Sequence, residues 1–295
     1  MSSITSGGKY ATLKKGYITI GGKHVQIQKA YVVKNGKWQV GYSGALAFKY
    51  YKPDGSEYAP GDKAYSFEGD PEGDWILRLW KSGILKFLSL PGDIEVWMNG
   101  AGGGSNQNNA TAGGGGYIIN QTLKNMQEEV NYEIHIGEGV MQSDGEATTA
   151  FGLTANGGKS AANGGSGASG GGGFGGWEGG ASSGRGGSDG SNGAGTGSGT
   201  GQGVSTKEFG VGEPLSAGGG GSYTVNEFQY DGSLWHPYRS CPGGKKGGGA
   251  GGSGGNNDWG KIGNYGSNGA ANTGSGGGAN MTKGGSGRVS IRNAR

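Results

Sequence analysis

Apolar positions along this chain come in short runs, and several of them alternate with polar ones. In "DWILRLW" and "ILKFLSL" hydrophobic residues crowd with partial period-two spacing, and "DIEVWM" follows the Pro91-Gly92-Asp93 turn. Such runs, bounded by turn residues, predict antiparallel β-strands. Farther on, Val130, Tyr132, Ile134 and Ile136 alternate with Asn131, Glu133 and His135, the pattern of a half-buried strand. The closing "RVSIRNAR" predicts one more short strand.

The amino-terminal stretch repeats itself. Lys15-Gly16-Tyr17-Ile18 recurs as Lys29-Ala30-Tyr31-Val32, and Gly22-Lys23 recurs as Gly36-Lys37. Each copy reads as a hairpin. The turns fall at Gly21-Gly22 and Asn35-Gly36, dipeptides that tolerate the positive φ angles of two-residue turns. The pattern divides the chain into a hairpin module over 1–43, a strand region over 44–100 and a glycine-rich part over 101–295. The small first module reads as a docking piece or as an ordinary small β-unit without a partner.

Glycine changes the picture. There are 76 Gly but only 7 Pro in 295 residues. Collagen is excluded, because its triple helix needs Gly at every third position with abundant Pro, and "GGGGFGG" and "GAGTGSGTGQG" keep no such register. Disorder is the competing expectation, since Gly loses the most backbone freedom on folding and offers no apolar surface in return. Apolar strands nevertheless bracket the glycine region on both sides, and a tether needs no closing strand. Glycine can be ordered without side chains as polyproline-II-type helices of three residues per turn. Packed side by side, such helices hydrogen-bond to one another, and interior positions must then be Gly because a Cβ would hold neighbours apart. Each fixed residue costs about 1–2 kcal/mol of backbone entropy, whereas each net hydrogen bond contributes about 0.5–1.5 kcal/mol. A glycine lattice therefore needs anchoring by the strand core. The expected fold is all-β with a polyglycine II bundle and protruding loops. With three residues per turn, Ala168, Phe174 and Trp177 share an edge, and the two rings read as a structural clamp or as a surface patch.

Charge and chemistry narrow the function. A formal charge of +3, spread along the chain, is no footprint for nucleic acid or an anionic membrane. No apolar run approaches membrane-spanning length, and "MSSITSGGKY" lacks a signal-peptide core. Cys241 stands alone, which points to synthesis in a reducing cytoplasm. His24, His135 and His236 are far apart and suggest no metal site or cofactor. Glu178, Asp189, Glu208 and Glu213 sit in glycine contexts with no shared element to pair two carboxylates, so no catalytic residue is assigned. The phosphate-loop candidate "GLTANGGKS" fails because Leu153 stands where the loop needs its first Gly. "GRGG" at Arg185 is a single hit, unlike repeated RNA-binding boxes.

One insertion differs from its surroundings. "SYTVNEFQYDGSLWHPYRSCPGGKK" gathers Tyr223, Phe228, Tyr230, Trp235, His236, Tyr238 and Arg239 into a turn-rich segment without a clean period. A smaller aromatic loop carries Trp259 and Tyr265. Tyr, Trp and Arg are enriched in binding hot spots, so these nine residues are the candidate contacts to a sugar or a protein; an inward-folded mini-core is the structural alternative.

The blocks "ILKFLSLPGDIEVWMNGAGGG", "AGGGGYIINQTL", "VNYEIHIGEGV", "TTAFGLTANGG", "GQGVSTKEFGVGEPLSAGGGG" and "NGAANTGSGGGANMTKGGSGRVSIRNAR", over roughly 75–295, resemble the glycine-rich domain of tail proteins from phages and prophages of Gram-positive bacteria. "KKGYITIGGK" and "KAYVVKNGKW" are similar to the amino-terminal segments of the same proteins. The lattice is also similar in kind to the polyglycine-helix sandwich of T-even-like phage tip adhesins and to the glycine-rich domain of anaplastic-lymphoma-type receptor kinases. The resemblance implies a virion component at the distal end of the tail. It would act outside the cell in host recognition, touching a bacterial surface glycan or protein and other tail proteins, as a homo-oligomer such as a trimer. A purely structural tail component is the alternative. The insertion at 223–240 departs from the family pattern, which is where individual specificity would sit.

Overall fold

The computed structural model describes residues 17–20, 23–26, 29–34, 37–43, 45–90, 92–105, 112–160, 207–212, 215–218, 222–224, 227–228, 234–235, 238–240, 267–278 and 282–294. Both amino-terminal repeats are two-stranded. β1 (Tyr17–Ile20) pairs with β2 (Lys23–Gln26), and Ile20 lies opposite Lys23, leaving only the Gly-Gly dipeptide between them. β3 (Lys29–Lys34) pairs with β4 (Lys37–Ser43) and carries a register shift between Ala30 and Tyr31.

Two five-stranded antiparallel sheets follow. β5 (Ala47–Tyr51), β6 (Tyr65–Gly69), β7 (Trp75–Leu79), β8 (Gly83–Ser89), β9 (Ile94–Asn99), β10 (Ile118–Leu123), β11 (Asn131–His135), β12 (Thr148–Ala150), β13 (Leu153–Ala155) and, after four short strands in the 222–240 region, β18 (Arg288–Asn293) supply the strands. The orders are β10-β9-β18-β7-β6 and β13-β12-β11-β8-β5. The closing strand is thus central, locked between β9 and β7. Both sheets turn one face inward onto a common core. On β7 alternate residues Trp75, Leu77 and Leu79 are buried, as are Leu85 and Phe87 on β8, Ile94, Val96 and Met98 on β9, and Val289 and Ile291 on β18. Each such side chain contributes roughly 1.5–3 kcal/mol. The strand predicted over 130–136 forms as β11, with Ile134 and Ile136 buried and Val130 at its exposed start. The sandwich draws strands from both sides of residue 100.

The glycine segments are continuations of these strands. Residues 100–105 prolong β9, 113–117 lead into β10, 136–140 follow β11, 143–147 lead into β12, 156–160 follow β13 and 282–287 lead into β18. The in-sheet register runs on unbroken. Asn99 opposes Ile118 and Arg288; beyond it Gly100 donates to Tyr117 O at 3.0 Å, Gly103 to Gly114 O at 2.9 Å, and Gly102 to Gly285 O at 2.9 Å. What is new is a third set of bonds, made between the two sheets. Ala101 donates to Glu146 O and Gly104 to Ser143 O, joining the prolongations of β9 and β12; Gly114 and Tyr117 donate to Lys159 O and Asn156 O, joining those of β10 and β13. Along 100–105 the partner segment therefore rotates with period three: 113–117, 143–146, 282–287, and again.

The physical reason is the loss of side chains. Facing sheets normally lie about 10 Å apart because interdigitated side chains hold them there. Where those side chains shrink to hydrogen, the layers close until their backbones bond directly. A Cβ built on Gly102 would strike Ser275 O and lie 2.7 Å from Gly276 N; one on Gly113 would strike Gly103 O. Segments 215–218, 267–270 and 274–278 add to the same network: Gly113 donates to Gly277 O, Gly277 to Gly103 O, and Gly276 to Ala217 O. The stretch "GLTANGGKS" instead joins this network through Gly158 and Lys159, with Lys159 Nζ 2.7 Å from Asp144 Oδ2.

Candidate functional site

The insertion begins at the network, and its root is held from below. Residues 207–212 and 215–218 lie over the outer face of the β10-β9-β18-β7-β6 sheet. Trp97, which alternation turns away from the sandwich core, packs there with Phe209 and Leu215, flanked by Ile76 and Ile118. Phe209 adopts φ 50°, and its ring sits under the Arg292 guanidinium at 4.4 Å. Arg288 lies 5.2 Å over the Trp97 ring.

Charge pairs reinforce this strap. The Nε of Arg78 donates to both Glu208 carboxylate oxygens, at 2.7 and 2.9 Å, and Arg288 Nη2 lies 3.3 Å from Glu208 Oε2. Arg78 also reaches Glu68, and Arg292 reaches Glu95, each at 2.6 Å. Burial alone would push the Glu208 carboxyl up, but the two guanidiniums outweigh it and hold it below the ordinary carboxylate value. Burial likewise pulls the Arg288 guanidinium down, opposed by Glu208. Sequence reasoning read Glu208 as an isolated acid in a glycine context. Its three-dimensional partners come from β7 and β18, more than 60 residues away on either side, and no local spacing announces them.

Asn99 joins sheet, network and strap. Fully buried at the end of β9, it donates through Nδ2 to Thr273 O at 2.8 Å and Ser216 Oγ at 3.0 Å, and accepts from Arg288 N at 2.9 Å. Ser216 in turn donates from its backbone to Thr273 O at 2.8 Å. Segment 215–218 is thereby fixed just before the insertion starts.

The insertion itself is a hairpin rather than the aperiodic loop expected. β14 (Ser222–Thr224) pairs with β17 (Tyr238–Ser240), and β15 (Glu227–Phe228) pairs with β16 (Leu234–Trp235). Both ladders share one register: Tyr223 opposes Arg239, Thr224 opposes Tyr238, Glu227 opposes Trp235 and Phe228 opposes Leu234. Both ladders centre on sequence position 231, and the Asp231-Gly232 dipeptide of the sequence is the turn signal that could have revealed them. Of the nine candidate contacts, Tyr223, Phe228, Trp235, Tyr238 and Arg239 fall on these four strands. Tyr230, His236, Trp259 and Tyr265 lie outside the described residues, as do Phe174 and Trp177. Among the described residues no three His, Cys, Asp or Glu side chains gather as metal ligands.

A family model described as a glycine-rich domain matches residues 84–294, from the second residue of β8 to just past the closing strand. The chain belongs to the glycine-rich domain family. The matched span contains every network segment, the strap and the arm, and it omits β1 to β7. No curated protein and no solved structure matches the chain.

Proposed function

We propose that this glycine-rich domain protein is a receptor-binding adhesin of a phage or prophage tail. It displays the 222–240 arm on a polyglycine II scaffold to a glycan or protein on a Gram-positive host surface. The observation that carries the reading is the period-three rotation of backbone partners along 100–105, which is what three-residue-per-turn helices packed side by side produce. A scaffold bonded in three directions holds its outgrowths in fixed places. Little conformational entropy is then lost when aromatic and Arg residues of the arm meet a receptor. The strap and Asn99 pin the arm's root to that scaffold. On this reading the chain is not an enzyme, needs no cofactor or metal, is made in the bacterial cytoplasm and acts in the virion outside the cell. The paired repeats over 17–43 serve as the attachment to other tail proteins, and several copies add avidity to weak contacts.

The test is binding of the purified, fluorescently tagged chain to whole Gram-positive cells. The reading predicts saturable binding that is lost on deleting 223–240 and reduced at least tenfold by Trp235→Ala with Tyr238→Ala, in variants with an unchanged melting transition. Binding indifferent to both changes would favour a structural spacer. Sugars or peptides released from purified envelope would replace the reading with an enzymatic one.

A further inference from the structure

We infer that the chain self-associates through β10, whose free edge pairs antiparallel with β10 of a second copy across a two-fold axis. Four strands end the two sheets: β10, β6, β13 and β5. An open edge presents unpaired N–H and C=O groups, and folded proteins guard such edges with bulges, charges, shortness or a covering loop. Three of the four are guarded. β5 has a register shift between Ala47 and Phe48 and is covered by the following loop, where Tyr58 N donates to Tyr50 O and Glu57 bridges Tyr51. β6 carries the exposed Glu68 and ends at Gly69 with φ 97°. β13 has only three residues.

Among the described residues β10 has none of these devices. It runs six residues, "IINQTL", with no charge, no proline and no glycine, and its ladder with β9 is regular throughout. Asn120, Gln121 and Thr122 are all exposed, although successive strand residues face opposite sides of a sheet. The strand therefore overhangs the sandwich at this margin. Among the described residues nothing but β9 pairs with it.

The occupant follows from the chemistry of that edge. With no charge it offers nothing to steer a charged peptide, whereas the amides of Asn120 and Gln121 each both donate and accept, and Thr122 does the same through its hydroxyl. An antiparallel copy of the same sequence matches these groups with themselves. Pairing about a two-fold axis also consumes the edge in both copies and leaves nothing for further growth, so the product is a dimer with a ten-stranded sheet rather than a fibre. The contact is one strand wide and smaller than the interfaces of stable complexes, so association is weak and concentration-dependent.

Sedimentation velocity of the full chain across the micromolar range, under reducing conditions, tests this. The expected result is a shift from monomer to twice the monomer mass with rising concentration. Asn120→Lys with Thr122→Lys should weaken the dimer at least tenfold while leaving the melting temperature unchanged, because both positions are exposed. If that pair does not fold, Gln121→Lys alone carries the same test. A chain monomeric at every concentration, or a dimer that the lysines leave intact, overturns the inference. Neither result depends on cell binding.

Discussion

Replacing Gly102 by Ala isolates the role of glycine in the network. Gly102 has no positive φ, so its backbone suits any residue, and in an open place Gly→Ala at such a position stabilises by about 0.4–1 kcal/mol through the unfolded state. Here the added Cβ meets the Ser275 carbonyl and lies 2.7 Å from Gly276 N. To admit it, segments 100–105 and 274–278 must part, which strains the Gly102-to-Gly285, Gly285-to-Ser275 and Gly276-to-Ala217 bonds of 2.9, 2.7 and 2.7 Å. Losing two of these in a buried setting costs roughly 2–5 kcal/mol. The matched control is Gly61→Ala, whose Cβ meets nothing within 4 Å and whose φ is also ordinary. Thermal melts at neutral pH should show Gly102→Ala lowered by roughly 5–15 °C and Gly61→Ala unchanged or slightly raised. Two variants with the same melting temperature would refute the idea that close backbone approach dictates glycine.

Other outcomes follow from the strap and its anchors. Glu208→Gln breaks a pair buried against Arg78 and Arg288, and should cost ~3 kcal/mol at neutral pH. Since the folded pKa of Glu208 is depressed, its contribution is complete above the ordinary carboxylate value and is lost as pH falls through the folded value; the gap between wild type and Glu208→Gln in acid-titrated melts should close only on the acid side of about pH 4. Asn99→Ala leaves the buried Arg288 N–H without its side-chain acceptor and removes one of the two donors to Thr273 O, which keeps the Ser216 N–H, and should lower the denaturant midpoint by an amount equal to roughly 1–3 kcal/mol. Trp97→Ala removes the ring under Arg288 and beside Phe209; it should cost about 3–5 kcal/mol and speed amide exchange in 207–218 more than in β7.

Strands with side-chain contrast were legible in the sequence. β7, β8, β9, β11 and β18 bury alternate apolar residues, and their alternation is what the pattern reading detects. β12 and β13 are three residues each, too short to carry a period, and β5 and β6 mix lysine, serine and glutamate among half-buried aromatics. That the glycine-rich segments bond to one another was foreseeable from the missing Cβ. Which segment bonds to which was not, because glycine carries no side chain to encode a partner; the flanking strands set it by passing their register on. The arm escaped notice because its ladders juxtapose unlike residues, Tyr with Arg and Glu with Trp, and show no alternation along either strand.

Hydrogen exchange followed residue by residue decides whether the glycine segments share the stability of the sandwich. If backbone bonds between glycine segments hold this half of the molecule together, the amides of Gly102, Gly103, Gly113 and Gly285 exchange in the slow class with those of Leu77, Val96 and Ile291. Exchange of those glycines at the rate of an unstructured peptide, beside a protected sandwich, would contradict it.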